Sequence, residues 1–396
     1  MKLTALEQRA AITIAGIYGL RMFGLFLVMP VLFLYAKELP DFTPSLAGLA
    51  VGIYGLTQAL LQIPLGYLSD SIGRKKIIVF GLLVFALGSY VAAISDSLFM
   101  LIIGRALQGA GAIASTLMAF VSDLSRPEVR SKLMASIGAT IGLSFVISLV
   151  LGPWLTTYIG VSGLFYVTAI LSLVAIAVVI WLVPAEQQHA DTSQVMPVKE
   201  QLGSVIKNKQ LQLMNMGIFF LHLFLTAIFV VLPLQLINNG LSLSEHSLTY
   251  LGLMVMSFVL MLPMMIWVEK KRQHPKGVVI AVTILLIAML GLANNMGLVI
   301  ILASVGLFFI AFNFLEASIP AMVSRICGTG QRGTAMGFYS TSQFSGAFVG
   351  GLLAGIIMQY YSASVLYFIL AGCSMLWLFF AVIWLKPLPD VESASH

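Results

Sequence analysis

Long apolar runs, separated by short charged turns or turns with glycine and proline, fill almost the whole chain. A helix that crosses a membrane needs roughly 20 apolar residues, and the runs are about that long. The pattern therefore predicts twelve membrane-spanning helices, called spans 1 to 12. They fall near residues 10–36, 44–69, 77–95, 98–121, 133–158, 161–183, 210–237, 246–268, 277–294, 297–323, 334–360 and 363–385.

Composition favours a protein embedded in lipid. Hydrophobic residues make up 60% of the 396 positions and charged residues 9%, whereas soluble domains carry about 25% charged residues. The net charge of +6 does not indicate a nucleic-acid partner, because the cations do not cluster on one soluble surface. The first apolar run continues into a full span, so we do not expect a cleavable signal peptide.

The positions of the cations predict the orientation. Short cytoplasmic loops hold the excess of Lys and Arg. With the N-terminus inside the cell, 18 of the 21 cations lie on the cytoplasmic side, Lys37 lies outside, and Arg21 and Arg105 lie within spans. Both termini are therefore expected in the cytoplasm, which requires an even number of spans.

One long polar interval divides the chain into two halves. Its later part has apolar residues at helical spacing beside lysines, which suits a short helix on the anionic inner membrane surface; a solvated linker is the alternative. A weak repeat supports two related halves, because a proline precedes Asp70 by six residues and another precedes Glu269 by six. The predicted units are an N-terminal six-helix bundle (1–183), a cytoplasmic linker (184–209), a C-terminal six-helix bundle (210–386) and a short cytoplasmic tail (387–396).

Few ionisable residues lie inside the predicted spans, where each costs at least about 2.5 to 3.5 kcal/mol by insertion scales. Glu316 in span 10 is the only carboxylate predicted in the middle of a span. A carboxylate that alternates between apolar and cationic surroundings can bind and release a proton. The alternative is a structural glutamate paired permanently with Arg21 or Arg105. His222 in span 7 is a second candidate because histidine titrates near neutrality; a hydrogen-bonded interior residue is its alternative.

Other polar residues of the spans are candidates for a substrate cavity. Arg105 cannot release its proton, so we expect it to hold an anion or to act on a nearby carboxylate, with a packing role as the alternative. Gln58 and Gln62 lie one turn apart on one face of span 2, so both can face the same cavity. Hydrogen bonding between helices is the alternative role for these two glutamines. The proton-coupling candidates are Glu316, Arg105 and His222, and the cavity candidates are Arg21, Gln58, Gln62, Gln108 and Asn313.

The loop between spans 2 and 3 carries a charged turn from Gly66 to Lys76. Gly73 allows a positive φ angle, and Asp70 can pair with Arg74. Asp123, at the end of span 4, is within plausible reach of this pair. We call Gly66, Asp70, Gly73, Arg74 and Asp123 the conformational latch. A role in topology alone is the alternative.

This charged turn resembles the loop signature between helices 2 and 3 of the major facilitator superfamily, with Ser71 where many members have a cation. The segment from Gly104 to Gly109 resembles the span-4 motif of its proton-coupled members. Span 5 contains Gly142, Gly152 and Pro153, which resemble the helix-5 motif of the antiporters of this superfamily. Thr156 and Thr157 stand where that motif usually ends in two glycines.

Three further segments resemble the twelve-helix drug:proton antiporter branch of this superfamily: Arg21-Met-Phe-Gly24, Tyr54-Gly-Leu-Thr-Gln58 and Tyr339-Ser-Thr-Ser-Gln343. The resemblance implies an all-α membrane protein with the major facilitator fold, whose twelve transmembrane helices form two six-helix bundles. The resemblance also implies that the latch locks the outward-open state.

The function that the resemblance implies is proton-coupled export of lipophilic or cationic drug-like compounds by alternating access, without enzymatic activity. A sugar or small-metabolite transporter of the same fold is the alternative, and a non-transporting membrane sensor or membrane-embedded enzyme is a remote one. The expected partners are a small-molecule substrate, protons and the lipid bilayer, with no nucleic acid. We expect a monomer in the bacterial inner membrane that uses no metal and no cofactor other than the proton gradient.

Overall fold

The computed structural model describes residues 3–184, 203, 205–294, 296–327 and 332–386, except for the side chains of residues 127, 131 and 332. Within these residues the regular structure is entirely α-helical. The helices, numbered in chain order, are α1 (Ala5–Leu27), α2 (Leu32–Ala36), α3 (Pro44–Ile72), α4 (Arg74–Ala93), α5 (Leu98–Ala110), α6 (Ala114–Asp123), α7 (Pro127–Trp181), α8 (Lys209–Asn238), α9 (Leu243–Lys271), α10 (His274–Asn294), α11 (Leu298–Ile326), α12 (Arg332–Tyr360) and α13 (Ala363–Trp384).

The predicted spans are confirmed as helices. In the described part of the chain, eleven helical segments are long and apolar enough to cross a membrane. One of them, α7, is 55 residues long and contains Gly160 at φ 67° and ψ 175°, outside the helical region. A glycine tolerates this conformation because it has no side chain to clash with the backbone. Gly160 therefore divides α7 into spans 5 and 6, which gives twelve spans.

Two spans contain breaks that the apolar pattern does not reveal. Span 1 consists of α1 and α2, which are interrupted near Pro30, a residue without an N–H to donate within a helix. Span 4 consists of α5 and α6, which are interrupted at Gly111. Each break leaves backbone carbonyl groups without a partner inside their own helix. The break at Gly111 contributes one such carbonyl to the candidate site.

The halves of the chain meet along two pairs of helices, α3 with α12 and α7 with α9. Along α3 and α12 the contact depends on small residues, since a side chain at Gly48 would meet the carbonyl of Gly351. A side chain at Gly52 would likewise lie 2.6 Å from the carbonyl oxygen of Phe348. Close approach through glycine is a common way for membrane helices to pack. The contact begins at the Ser45 backbone N–H, which donates to Gln359 Oε1 at 3.3 Å.

The two halves separate towards the other end of the molecule. We call this the basic end, because it carries Arg74, Arg126 and Arg325. Phe344 of α12 contacts α3, and Gly337 is seven residues, or two helical turns, before it, so Gly337 lies on the same face of α12. A side chain at Gly337 would nevertheless meet no atom within 4 Å. Gly138 and Gly142 lie on the face of α7 that carries Phe145, and both also border open space. The protein is therefore closed at one end and open at its basic end.

The predicted linker lies largely outside the described residues, since only 184, 203 and 205–209 of that interval are described. Its interfacial helix and the division into two bundles stay predictions. The predicted tail, 387–396, also lies outside the described residues.

Candidate functional site

Glu316 lies on the wall of the opening. It is four residues after Phe312 and seven after Phe309, so the three share one face of α11. The rings of Phe309 and Phe312 lie 6.4 and 6.0 Å from the ring of Phe145 on α7. Span 10 runs towards the basic end, so Glu316 lies one turn beyond this aromatic contact, where the facing surface of α7 at Gly142 is open. About a third of the Glu316 side chain (35%) is exposed.

Glu316 forms a compact polar group with His222 of α8 and Gln343 of α12, which we call the glutamate group. Gln343 Nε2 donates to Glu316 Oε1 at 3.3 Å and lies 2.8 Å from His222 Nε2. His222 Nδ1 lies 3.9 Å from Glu316 Oε2. Glu316 Oε2 is buried and has no hydrogen-bond partner among the described residues. The carboxylate therefore faces neighbouring helices and keeps one oxygen atom available for a proton.

Two predicted relations of Glu316 differ from the observed contacts. Neither Arg21 nor Arg105 forms an ion pair with Glu316 within the described chain, so Glu316 is not a glutamate permanently paired with either arginine. Asn313, a predicted cavity residue three positions before Glu316, donates to Ser257 Oγ of α9 at 2.9 Å. Three residues correspond to about 300° around a helix, and the remaining 60° is enough to direct Asn313 towards another neighbour.

The N-terminal half contains a second buried polar group, the arginine group, which consists of Arg21, Gln58, Tyr54, Arg105 and Gln108. Arg21 Nη2 donates to Gln58 Oε1 at 2.6 Å and to the carbonyl of Gly111 at 3.1 Å. That carbonyl is available because the helix breaks at Gly111. Arg21 Nε and Nη1 have no hydrogen-bond partner among the described residues, although only 2% of this residue is exposed.

Arg105 completes the arginine group. It donates to the carbonyl of Ala50 at 3.3 Å and to Gln108 Oε1 at 2.7 Å, and Gln108 Nε2 donates to Ser89 Oγ at 2.8 Å. The guanidinium groups of Arg21 and Arg105 lie 6.0 and 5.3 Å from the centre of the Tyr54 ring. This ring gives each cation a favourable but weak contact. Neither arginine has an acidic partner in the described part of the chain, so the group presents two buried positive charges.

A short segment of α12 connects the two groups. Gln62 Nε2 of α3 donates to Thr341 Oγ1 at 2.9 Å, and two residues later Gln343 reaches the glutamate group. The next residue, Phe344, packs edge-on against Tyr54 at 6.2 Å. Gln62 therefore bonds across the two halves of the chain, whereas Gln58 bonds within its own half.

The predicted latch is assembled at the basic end. Arg74 pairs with Asp70 at 2.5 Å and with Asp123 at 2.9 Å, and it donates to Ser69 Oγ at 2.6 Å and to the carbonyl of Gly66 at 3.5 Å. Gly73 ends α3 at φ 110°, a conformation that favours glycine. The latch therefore ties the ends of spans 2, 3 and 4 together.

We expect Arg74→Ala to destabilise the protein measurably. The substitution removes both ion pairs of Arg74, and because the Asp70 and Asp123 side chains are 57% and 36% exposed, water partly replaces the lost donor and the cost is about 1 kcal/mol. The measurement is thermal unfolding of the purified protein in detergent. Lys76→Ala is the matched control, because Lys76 is an exposed cation of the same loop, and exposed substitutions usually change stability by less than about 0.5 kcal/mol. Equal unfolding temperatures for the two variants would contradict the latch.

The basic end of the C-terminal half carries a related cluster that the sequence indicated only through Glu269. Arg325 Nη2 donates to Glu269 Oε1 at 3.5 Å, and Arg325 Nη1 lies 3.1 Å from His274 Nε2. Glu269 lies at the end of the second span of its half, as Asp70 does in the latch. Arg325, however, comes from the fourth span of its half, whereas Arg74 of the latch begins the third span. In the N-terminal half, Glu7 pairs with Arg126 at 2.8 Å and raises the pKa of that guanidinium above its usual value.

The helix-5 motif positions the break in span 1. A side chain at Gly152 would meet the carbonyl of Leu27 and lie 3.3 Å from the Pro30 ring, so glycine permits close approach of α7 to the end of α1. Pro153 follows inside α7. Gly142, by contrast, borders the opening. The motif therefore combines one packing position with one position at the candidate cavity.

Comparison with known proteins identifies the family. Residues 14–268 and 214–396 match the model of the Major Facilitator Superfamily. The chain is 42% identical over 393 residues to the inner membrane transport protein YajR of Escherichia coli K12, covering 99% of this chain and 86% of that protein. It is 27% identical over 293 residues to multidrug resistance protein 3 of Bacillus subtilis, covering 74% of this chain and 50% of that protein.

Solved structures agree with this fold. The crystal structure of an auto-inhibited peptide transporter of the POT family superposes with a TM-score of 0.74 at 12% identity, covering 97% of this chain and 98% of that chain. This chain therefore belongs to the major facilitator superfamily. It is a multi-pass membrane protein and a secondary transporter, and not an enzyme.

Proposed function

We propose that this transporter exports lipophilic, cationic compounds in exchange for protons by alternating access. The proposal depends mainly on Glu316, the only carboxylate in the middle of a span among the described residues. It lies on the wall of an opening, and its Oε2 has no hydrogen-bond partner among the described residues. A carboxylate can hold a proton or a cationic substrate but not both, and this competition is what exchange requires.

The surroundings of Glu316 suit a lipophilic cation. The Phe312 ring lies 5.9 Å from the His222 ring, and the rings of Phe145 and Phe309 lie 6.0 and 6.5 Å from that of Phe312. Aromatic faces attract cations, most strongly where water is excluded. In the bacterial inner membrane, with both termini in the cytoplasm, the opening at the basic end would face the cytoplasm and admit substrate for export. We propose that the protein works as a monomer.

A second candidate is transport of small anionic metabolites, and the arginine group favours it. Two buried arginines that have no acidic partner among the described residues would suit a carboxylate, because Arg21 Nε and Nη1 have no hydrogen-bond partner there either. A cation would be repelled at this place. The two candidates therefore differ in which half of the protein binds the charged part of the substrate.

Transport in proteoliposomes with an imposed pH gradient distinguishes the candidates. We expect tetraphenylphosphonium, a lipophilic cation, to be moved against its gradient, and benzenesulfonate, an anion that stays ionised and does not cross the bilayer as a neutral acid, to remain at equilibrium. Arg105→Gln should then leave cation transport measurable. Movement of benzenesulfonate alone, abolished in Arg105→Gln, would instead support the anionic class. Transport of either probe that is independent of pH would contradict proton exchange.

A further inference from the structure

The amide of Gln343 reaches the two titratable side chains of the glutamate group with one nitrogen atom. Gln343 Nε2 lies 2.8 Å from His222 Nε2 and 3.3 Å from Glu316 Oε1. An amide nitrogen carries two hydrogens and accepts none. Both contacts are therefore donated by Gln343, one hydrogen to each partner.

This arrangement fixes the protonation state of His222. Since Nε2 accepts a hydrogen bond, it carries no proton, and the ring proton lies on Nδ1. His222 Nδ1 lies 3.3 Å from the carbonyl of Ile218, to which it can donate. A second proton on Nε2 would face the amide hydrogens of Gln343 at 2.8 Å, donor against donor. His222 is therefore held neutral, with its proton on Nδ1.

The second hydrogen of the same amide is donated to Oε1 of Glu316. Oε2 is buried and without a partner, so a proton can be added there without breaking a hydrogen bond. Among the described residues, the titratable groups facing Glu316 from the neighbouring helices are His222 on α8 and Tyr339 on α12. No charged side chain of the described chain neutralises Glu316.

The geometry points to Gln343 as a positioning residue that keeps His222 neutral and leaves Glu316 Oε2 as the atom that takes up the transported proton. This assignment rests on the proposed proton exchange. Glu316 binds and releases the transported proton at Oε2, and His222 neither gains nor loses one. His222 thus orients the group through Gln343 and does not carry the proton.

Nitrogen-15 NMR of histidine-labelled protein in lipid nanodiscs tests this assignment without any transport measurement. The chain has five histidines, and the signals of His222 are identified by their loss in His222→Asn. In the wild type we expect neutral His222 with the proton on Nδ1, unchanged across the range in which a free histidine is protonated. In Gln343→Leu, which removes the donor to Nε2, we expect the form of His222 with its proton on Nε2 to appear beside the Nδ1 form.

Two further variants make the result specific. Gln343→Glu has nearly the same shape but an acceptor in place of the donor, so His222 should carry a proton on Nε2. Gln235→Leu is the matched control, because Gln235 is a buried glutamine of the same half that accepts from Tyr367 at 2.7 Å; it should leave the signals of His222 unchanged.

Protonation of His222 on Nε2 in the wild type, or a proton that stays only on Nδ1 in Gln343→Glu, would overturn the assignment. Failure of the wild type to exchange protons would remove the proposed function but would leave the NMR result intact. The two proposals can therefore fail separately.

Discussion

Glu316→Gln should abolish the accumulation of substrate that a pH gradient drives, while the protein remains folded. A gradient of one pH unit is worth about 1.4 kcal/mol for each proton exchanged and sustains up to a roughly tenfold substrate ratio. Glutamine has nearly the same size and can still accept from Gln343, but it binds no proton. We therefore expect the tetraphenylphosphonium ratio across the membrane to fall to about 1, the value without coupling.

The measurement is tetraphenylphosphonium accumulation in proteoliposomes with an imposed pH gradient. Glu38→Gln is the matched control, since it removes an exposed carboxylate outside the spans and should accumulate substrate like the wild type. Counterflow without a pH gradient reports whether Glu316→Gln still alternates. Undiminished accumulation by Glu316→Gln would remove Glu316 from the coupling mechanism.

Cross-linking Ser45→Cys to Gln359→Cys should stop transport. These positions join α3 and α12 at the closed end, where the Ser45 N–H donates to Gln359. Alternating access requires this end to open, so a covalent link between the two helices holds the state that is open at the basic end. A short bis-methanethiosulfonate reagent should reduce substrate transport to that of empty liposomes, and a reductant should restore it. All cysteine variants are made in a protein in which Cys327 and Cys373 are replaced by alanine.

A pair within one half provides the control. A β-carbon at Gly291 would lie 3.2 Å from that of Ser304, close to the spacing found in disulfides, and α10 and α11 belong to the same half. Linking Gly291→Cys to Ser304→Cys should leave transport largely unchanged. Full transport by the cross-linked Ser45 and Gln359 variant would mean that the closed end does not need to open.

The sequence predicted the spans well because membrane helices must satisfy their backbone hydrogen bonds internally, so length and apolarity decide where they lie. It did not predict the breaks at Pro30 and Gly111. Both residues also occur inside continuous membrane helices, and the packing of neighbours decides which of them interrupts the helix. The break at Gly111 matters for the site, because its carbonyl accepts from Arg21.

The candidate site was predicted only in part. Charge singled out Glu316, Arg105 and Arg21, because each is costly in a membrane. Gln343 was missed as a site residue, although it lies in a quoted motif, because neutral glutamines are as common in packing as in sites. Its role becomes visible only when α8, α11 and α12 bring His222 and Glu316 to the same amide. The partner of Gln62 is likewise set by the approach of α3 and α12.

The most direct test of the central proposal is the release of protons when substrate binds. Purified protein in a weakly buffered detergent solution with a pH indicator should release about one proton from Glu316 when tetraphenylphosphonium binds to the protonated form. Glu316→Gln should release none. Release of protons from Glu316→Gln as from the wild type, or binding to the wild type with no release at any pH, would contradict the proposal that Glu316 exchanges a proton for the substrate.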